Sequence, residues 1–212
     1  MNSYNRLSNR VKVLEYIIKN RKLLSLLRKN YAESNKKSIT KLVLERCVAH
    51  LERLLLVENK LNIESIVYEI YDKYSDYDYA DMDVSNYRIK SIKEFNTLKG
   101  GVCWDFVIPI ANNLDVNEVP YTCYFTGLHN DGNMIASHTY IVTDTSPRYW
   151  IECSWMRNKG VHEVSSFKDV ENVLKSSYSA DEVFTVSYVP RKTQGMKPEQ
   201  FFNYLEDTGI EC

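Results

Sequence analysis

The sequence predicts an α+β chain, with a helical segment over residues 1–75 and then a domain over 76–212 in which a cysteine-bearing helix packs on an antiparallel sheet. Three observations predict it. Apolar side chains recur at helical spacing from Leu7 to Tyr74. Four runs rich in β-branched and aromatic residues, separated by turn residues, follow from Tyr121 onward. Between these regions, the pair Gly100-Gly101 opens a helical pattern whose first turn carries Cys103. A chain of 212 residues suits one medium domain with an extension, since single cores take roughly 100 to 200 residues.

Taken in order, residues 7–28 place Leu7, Val11, Leu14 and Ile18 on one helical face, continuing through Leu24 and Leu27. A polar break at 33–38 precedes a second helix, with Leu44, Val48, Leu51 and Leu55 aligned. A third, capped by Asn62, aligns Ile63, Ile66, Val67, Ile70, Tyr71 and Tyr74 toward a core. Residues 72–87, crowded with Asp, Tyr and Ser, read as an irregular connector. Strands are expected at Tyr121–Thr126, Ala136–Thr143, Arg148–Trp155 and Val183–Val189, and helices at Phe167–Ser177 and Pro198–Leu205.

Composition narrows the function classes. The longest unbroken aliphatic run, Leu54-Leu55-Leu56-Val57, is far below the roughly 18 apolar residues of a membrane span, so no membrane association is expected. The amino terminus lacks the apolar block of a secretory signal, and a cytoplasmic protein is expected. Five widely spaced cysteines, an odd number, point to reduced thiols rather than a disulfide framework. The net charge of −1 hides a division: residues 1–60 carry fourteen Lys or Arg against five Asp or Glu, and the remainder is acidic. Such a basic half could bind nucleic acid or an acidic partner. A basic helical layer docked on its own acidic domain explains the numbers equally well, and nucleic acid is not the expected partner.

Chemistry concentrates at Lys99-Gly100-Gly101-Val102-Cys103-Trp104-Asp105. Two of the seven glycines make a flexible turn, and Cys103, Phe106, Val107, Ile110, Ala111 and Leu114 then follow at helical spacing, with Pro109 expected to bend the second turn. A cysteine in a helix's first turn lies among unpaired N–H groups at the positive end of the dipole, which favour the attacking thiolate and can receive an oxyanion. A buried thiol serving as a small apolar residue is the competing reading. Of the four histidines, His50 lies on the N-terminal helices, His129 and His162 lie by turn residues, and only His138 falls in an expected strand. A hairpin turn centred on Thr145 sets His138 opposite Glu152 and Tyr140 opposite Trp150, so that carboxylate can orient imidazole while aromatic bulk excludes water. A zinc site from Cys103, Cys123, Cys153 and His138 fits poorly, because no pair has the short spacing of structural zinc ligands. No metal or cofactor is expected.

These motifs resemble the transglutaminase-like superfamily, cysteine enzymes of papain-related architecture. The resemblance covers about residues 88–156 and rests on Gly101-Val102-Cys103-Trp104-Asp105, on Asn113-Leu114-Asp115 through Pro120-Tyr121, on Ser137-His138-Thr139-Tyr140, and on Trp150-Ile151-Glu152-Cys153-Ser154-Trp155. It implies a papain/transglutaminase-like core in which Cys103 is the nucleophile, His138 the general base, and Glu152 stands where the family usually has aspartate. It also implies acyl transfer or hydrolysis on an amide of a protein or peptide substrate. An arylamine N-acetyltransferase-like transferase and a non-catalytic interaction module with a basic helical arm are the alternatives. Helical residues 1–75 have no counterpart in the resemblance.

Overall fold

The computed structural model describes residues 62–80 and 86–212, together with Ser25. The chain divides into two compact units, Met1–Ile63 and Glu64–Cys212. The two helices expected within residues 7–55 lie outside the described residues, nearly all of which belong to the second unit.

Residues 62–74 form α1, and Asn62, expected as its cap, is already helical. Val67, Ile70 and Tyr74, spaced by three and four, are buried, the stripe anticipated from the spacing. The Tyr74 hydroxyl accepts a 2.9 Å hydrogen bond from Asn113 Nδ2, tying α1 to the helix that carries Cys103. The expected irregular connector contains a two-residue strand, β1 (Asp78–Tyr79). Next comes a helix that the periodicity did not suggest, α2 (Ile92–Leu98), started by a capping box in which Ser91 and Glu94 satisfy each other's backbone N–H groups.

The glycine pair is a strand, β2 (Gly100–Gly101), paired in parallel with β1 in the register Asp78 to Gly100 and Tyr79 to Gly101. This close approach requires glycine. A Cβ on Gly100 would stand 2.7 Å from the Asp78 carbonyl oxygen, and one on Gly101 would stand 2.6 Å from Asp105 Cβ. Gly101→Ala is therefore expected to cost about 1–3 kcal/mol by overpacking, read as a lowered midpoint in urea with unchanged slope.

Helix α3 (Cys103–Val116) begins directly after β2 and runs through Pro109 without ending. Its start is held by Asp105, a fully buried carboxylate. That group accepts from Val102 N at 3.0 Å, Lys90 N at 2.7 Å, Lys90 Nζ at 2.9 Å, and the Tyr87 hydroxyl. An anion at the first turn also complements the helix dipole.

The sheet is antiparallel, in the order β6-β5-β4-β3-β7-β8. Its strands are β3 (Tyr121–Asn130), β4 (Asn133–Thr143), β5 (Arg148–Glu152), β6 (Gly160–Val164), β7 (Glu182–Tyr188) and β8 (Ile210–Glu211). Strands β3 and β4 outrun their expected lengths because the stretch around His129 is a continuous hairpin. Its two turn residues, Asp131 and Gly132, have φ of 49° and 75°, as a tight two-residue turn demands. His129 and His162 consequently lie on strands β3 and β6, not in turns, correcting the view that only His138 does.

Two helices complete the unit, α4 (Phe167–Tyr178) and α5 (Pro198–Thr208). Against one face of the sheet α4 packs Val170 and Leu174 with Leu128, Tyr140, Val142 and Trp150. On the other face Phe201 of α5 meets Phe125, Tyr188 and Trp104 of α3. Each such buried side chain contributes roughly 1.5–3 kcal/mol, so the two layers clamp the sheet from both sides. The fold is mixed α+β. Among the described residues no helix is long and apolar enough to cross a membrane.

The β4–β5 pairing differs in register from the expectation. The observed partners are Ile141 with Ile151 and Val142 with Trp150, two residues away from pairing Tyr140 with Trp150. The loop causes this, because the Thr143 hydroxyl accepts the Tyr149 N–H at 2.8 Å and so takes a donor that would otherwise enter the ladder. A shift of two preserves the face of every side chain, since the period of a strand is two. Glu152 thus stays on the face of His138 but becomes its diagonal neighbour.

Candidate active site

Cys103, His138 and Glu152 come together where β4 loses its partner. The β4–β5 ladder stops at Ile141 and Ile151, so the edge of β4 beside His138 is open on that side, and Cys103 at the start of α3 meets the imidazole there. All three are buried, with exposures of 6%, 5% and 2%.

The His138–Glu152 pair has a single, well-satisfied geometry. Nε2–H of His138 donates to Glu152 Oε2 at 2.7 Å. The other carboxylate oxygen, Oε1, accepts from Ser154 N, Ser154 Oγ and Trp155 N, each at 2.8 Å. A diagonal neighbour across two strands sits roughly 7–8 Å away, within reach of a long side chain, and the extra methylene of glutamate provides that reach. Three donors on one oxygen hold the carboxylate rigid and aim the other at the ring.

The ring is enclosed by aromatic groups. Tyr140 stacks at 6.2 Å between centroids, Trp155 lies at 5.7 Å, and Tyr178 of α4 stacks on Trp155 at 5.7 Å. Tyr140 and Trp150, expected as direct partners, still touch edge to face at 6.5 Å. Beneath the ring, the buried Thr126 and Thr185 hydroxyls bond to each other at 2.8 Å.

Electrostatics follows from this enclosure. Burial lowers the His138 pKa, but the Glu152 charge, the neighbouring Cys103 and the hydrogen bond that His138 donates to Glu152 outweigh it and push the imidazole up to about 10. Burial raises the Glu152 carboxyl, while the His138 charge, the His138 hydrogen bond and the donors of Trp155 and Ser154 outweigh it and hold the group below its ordinary value. Both shifts favour imidazolium beside carboxylate. With Nε2 engaged by Glu152, Nδ1 is the nitrogen left for the sulfur.

The other candidates fall elsewhere. Burial pushes the Cys123 and Cys153 thiols up, keeping them protonated. His162 Nε2 bonds the Asn158 carbonyl at 2.7 Å, and its ring lies on Trp150. His129 pairs across the hairpin with Met134. His50 lies outside the described residues. Among the described residues no three His, Cys, Asp or Glu side chains are grouped to hold a metal.

Sequence reasoning missed the parts played by four residues. Asp105 anchors the start of α3. Ser154 and Trp155 hold Glu152. Tyr79 lies on β1, which pairs with the glycine strand just before Cys103. The first could have been found from an acidic residue two positions into a helix, where it commonly caps the N–H groups.

No protein-family model, curated protein or solved structure matches the chain.

Proposed function

We propose that the second unit is a transglutaminase-like cysteine enzyme with a papain-related core, acting on an amide of a protein or peptide. The observation that carries this reading is the buried, doubly braced His138–Glu152 pair beside a cysteine at a helix start. A merely structural histidine does not need a carboxylate held by three further donors. The arrangement is that of a nucleophile, a base and an orienting acid.

The reaction runs in two halves. With the proton already on His138, Cys103 Sγ attacks as a thiolate and forms a bond to the carbonyl carbon. The carbonyl oxygen becomes an oxyanion held by N–H groups at the start of α3. The C–N bond breaks as His138 returns the proton to the departing amine, leaving a thioester. Water, or a second amine, gives a proton to His138 and attacks the thioester carbon. The C–S bond breaks, and the sulfur leaves as a thiolate beside the protonated His138. Glu152 keeps the ring oriented and its positive charge balanced throughout.

Incubating the full chain with 4-nitrophenyl acetate tests the assignment. The expected result is release of one nitrophenolate in a burst, with an acetyl group located by mass spectrometry on Cys103. Acetylation of other residues only, or none, contradicts the reading and leaves the non-catalytic alternative. The diagonal geometry adds a second expectation. Glu152→Asp is one methylene short of bridging His138 and the Ser154 and Trp155 donors together, and is expected to slow the burst by about 10²-fold, the cost of an ångström-scale misplacement.

A further inference from the structure

We propose that the face of the sheet packed against α5 carries a binding site for a small organic ammonium with an aromatic body. The site lies outside the acyl-transfer centre and stands whether or not the reading of that centre holds. Phe125, Gly127 and His129 alternate along β3 and so share one face, the face on which Phe125 meets Phe201 of α5. There they border a cavity of about 240 Å³. Gly127 opens it. This glycine sits mid-strand, paired with Ser137 on one side and Phe184 on the other, and a Cβ on it would stand 3.2 Å from His129 Nε2 and 3.4 Å from Met134 Sδ. A glycine inside a paired strand marks a place where another group comes close to the backbone.

The lining is largely apolar. Phe125 and Leu205 are buried, whereas Phe184 and Met134 remain 45% and 48% exposed, so two large apolar side chains stay in contact with water until something covers them. Size limits the occupant. An apolar cavity of about 150 Å³ holds benzene, and drug-sized ligands need at least roughly 300 Å³, so one ring with a short chain fits between these bounds. Charge narrows it further. Glu206 lines the cavity, and no lysine or arginine does. Glu182 pairs directly with His129 and so projects from the same face, adding a second carboxylate. Among the described residues neither carboxylate is ion-paired. An ammonium held near Glu206 and the Phe184 and Phe202 rings, which also line the cavity, is attracted by the carboxylate and by the aromatic quadrupoles together.

Titrating the full chain with 2-phenylethylamine at pH 8, read by NMR at the Gly127 N–H and the Met134 methyl, tests the site. Saturable shifts at both are expected, with a Kd of about 1 mM. 2-Phenylethanol, which keeps the ring without the charge, should bind at least about fivefold more weakly. n-Butylamine, which keeps the charge without the ring, should also bind at least about fivefold more weakly. The Glu182→Gln, Glu206→Gln double variant should lose about fivefold in affinity for the amine and less than about twofold for the alcohol. Both glutamates are exposed, so the double variant keeps the fold.

Absence of saturable shifts at Gly127 and Met134 by about 10 mM amine overturns the proposal. So does an alcohol that binds as tightly as the amine, or a double variant that binds the amine as well as the parent does, since either removes the carboxylates from recognition. Butylamine binding as tightly as 2-phenylethylamine overturns the aromatic assignment and makes the cavity a pocket for a lysine side chain instead.

Discussion

His138→Ala is expected to destabilise the second unit by about 3–5 kcal/mol and to abolish the nitrophenyl ester burst. The loss exceeds that of a simple cavity because Glu152, 2% exposed, keeps a charge with no cation beside it. Its three remaining donors on Oε1 are dipoles and do not neutralise it. For a unit of this size the thermal midpoint should fall by about 10 °C. Adding Glu152→Leu to His138→Ala should restore part of that stability, since removing both members of a buried pair costs far less than removing one. Activity should stay absent. A double variant no more stable than the single one would show that the carboxylate is not the source of the loss.

The same pair gives stability a pH signature. The folded His138 pKa is raised, so its contribution is fully present below about 6.5 and is lost as pH rises toward about 10. The folded Glu152 pKa is lowered, so its contribution is present above its unfolded value near 4.5 and lost as pH falls below it. Together they place the pair's greatest contribution between about pH 4.5 and 6.5. The pH slope of the unfolding free energy between pH 7 and 9 should shrink in the His138→Ala, Glu152→Leu double variant.

Cys103→Ala is expected to reduce the burst at least about 10³-fold while leaving the unfolding free energy within about 1–2 kcal/mol of the parent. The sulfur fills little volume, and the helix start is held by Asp105, which the substitution leaves in place. The variant also reports on the ring. Cys103 contributes to raising His138 through hydrogen bonding and charge, so its removal should lower the imidazole pKa, with Glu152 still holding it above the ordinary value. Nitrogen NMR of the labelled imidazole reads this directly. An imidazole indifferent to Cys103→Ala would mean the two do not interact.

The parts of the fold legible in the sequence were those that local pattern controls. The stripe of Val67, Ile70 and Tyr74 declares α1, and the strand runs from Tyr121 to Tyr188 declare the sheet, because burial of one face imposes its period on the residues. Helix α2 escaped because seven residues are too few to show a period, although Ser91 and Glu94 write its capping box plainly. Strands β1 and β2 escaped because two residues carry no pattern; only the strand partner explains Gly100 and Gly101.

For the site, residue chemistry picked out Cys103, His138 and Glu152, which the fold brings together. The register that joins the last two was two residues off. That difference comes from the Thr143 side chain entering the turn, a tertiary detail invisible to strand counting. It left the shared face intact because an even shift preserves alternation. The pairing of Tyr79 with Gly101 was unreadable, since nothing along the chain links an irregular Asp- and Tyr-rich stretch to a glycine pair further along.

The most direct measurement is competitive labelling of the full chain by limiting iodoacetamide near pH 7, with each cysteine quantified by mass spectrometry. The imidazolium of His138, braced by Glu152, should make Cys103 at least about tenfold more reactive than the exposed Cys212, despite the burial of Cys103. Glu152→Gln should erase most of that advantage. Labelling of Cys103 at or below the rate of Cys212 would contradict the account.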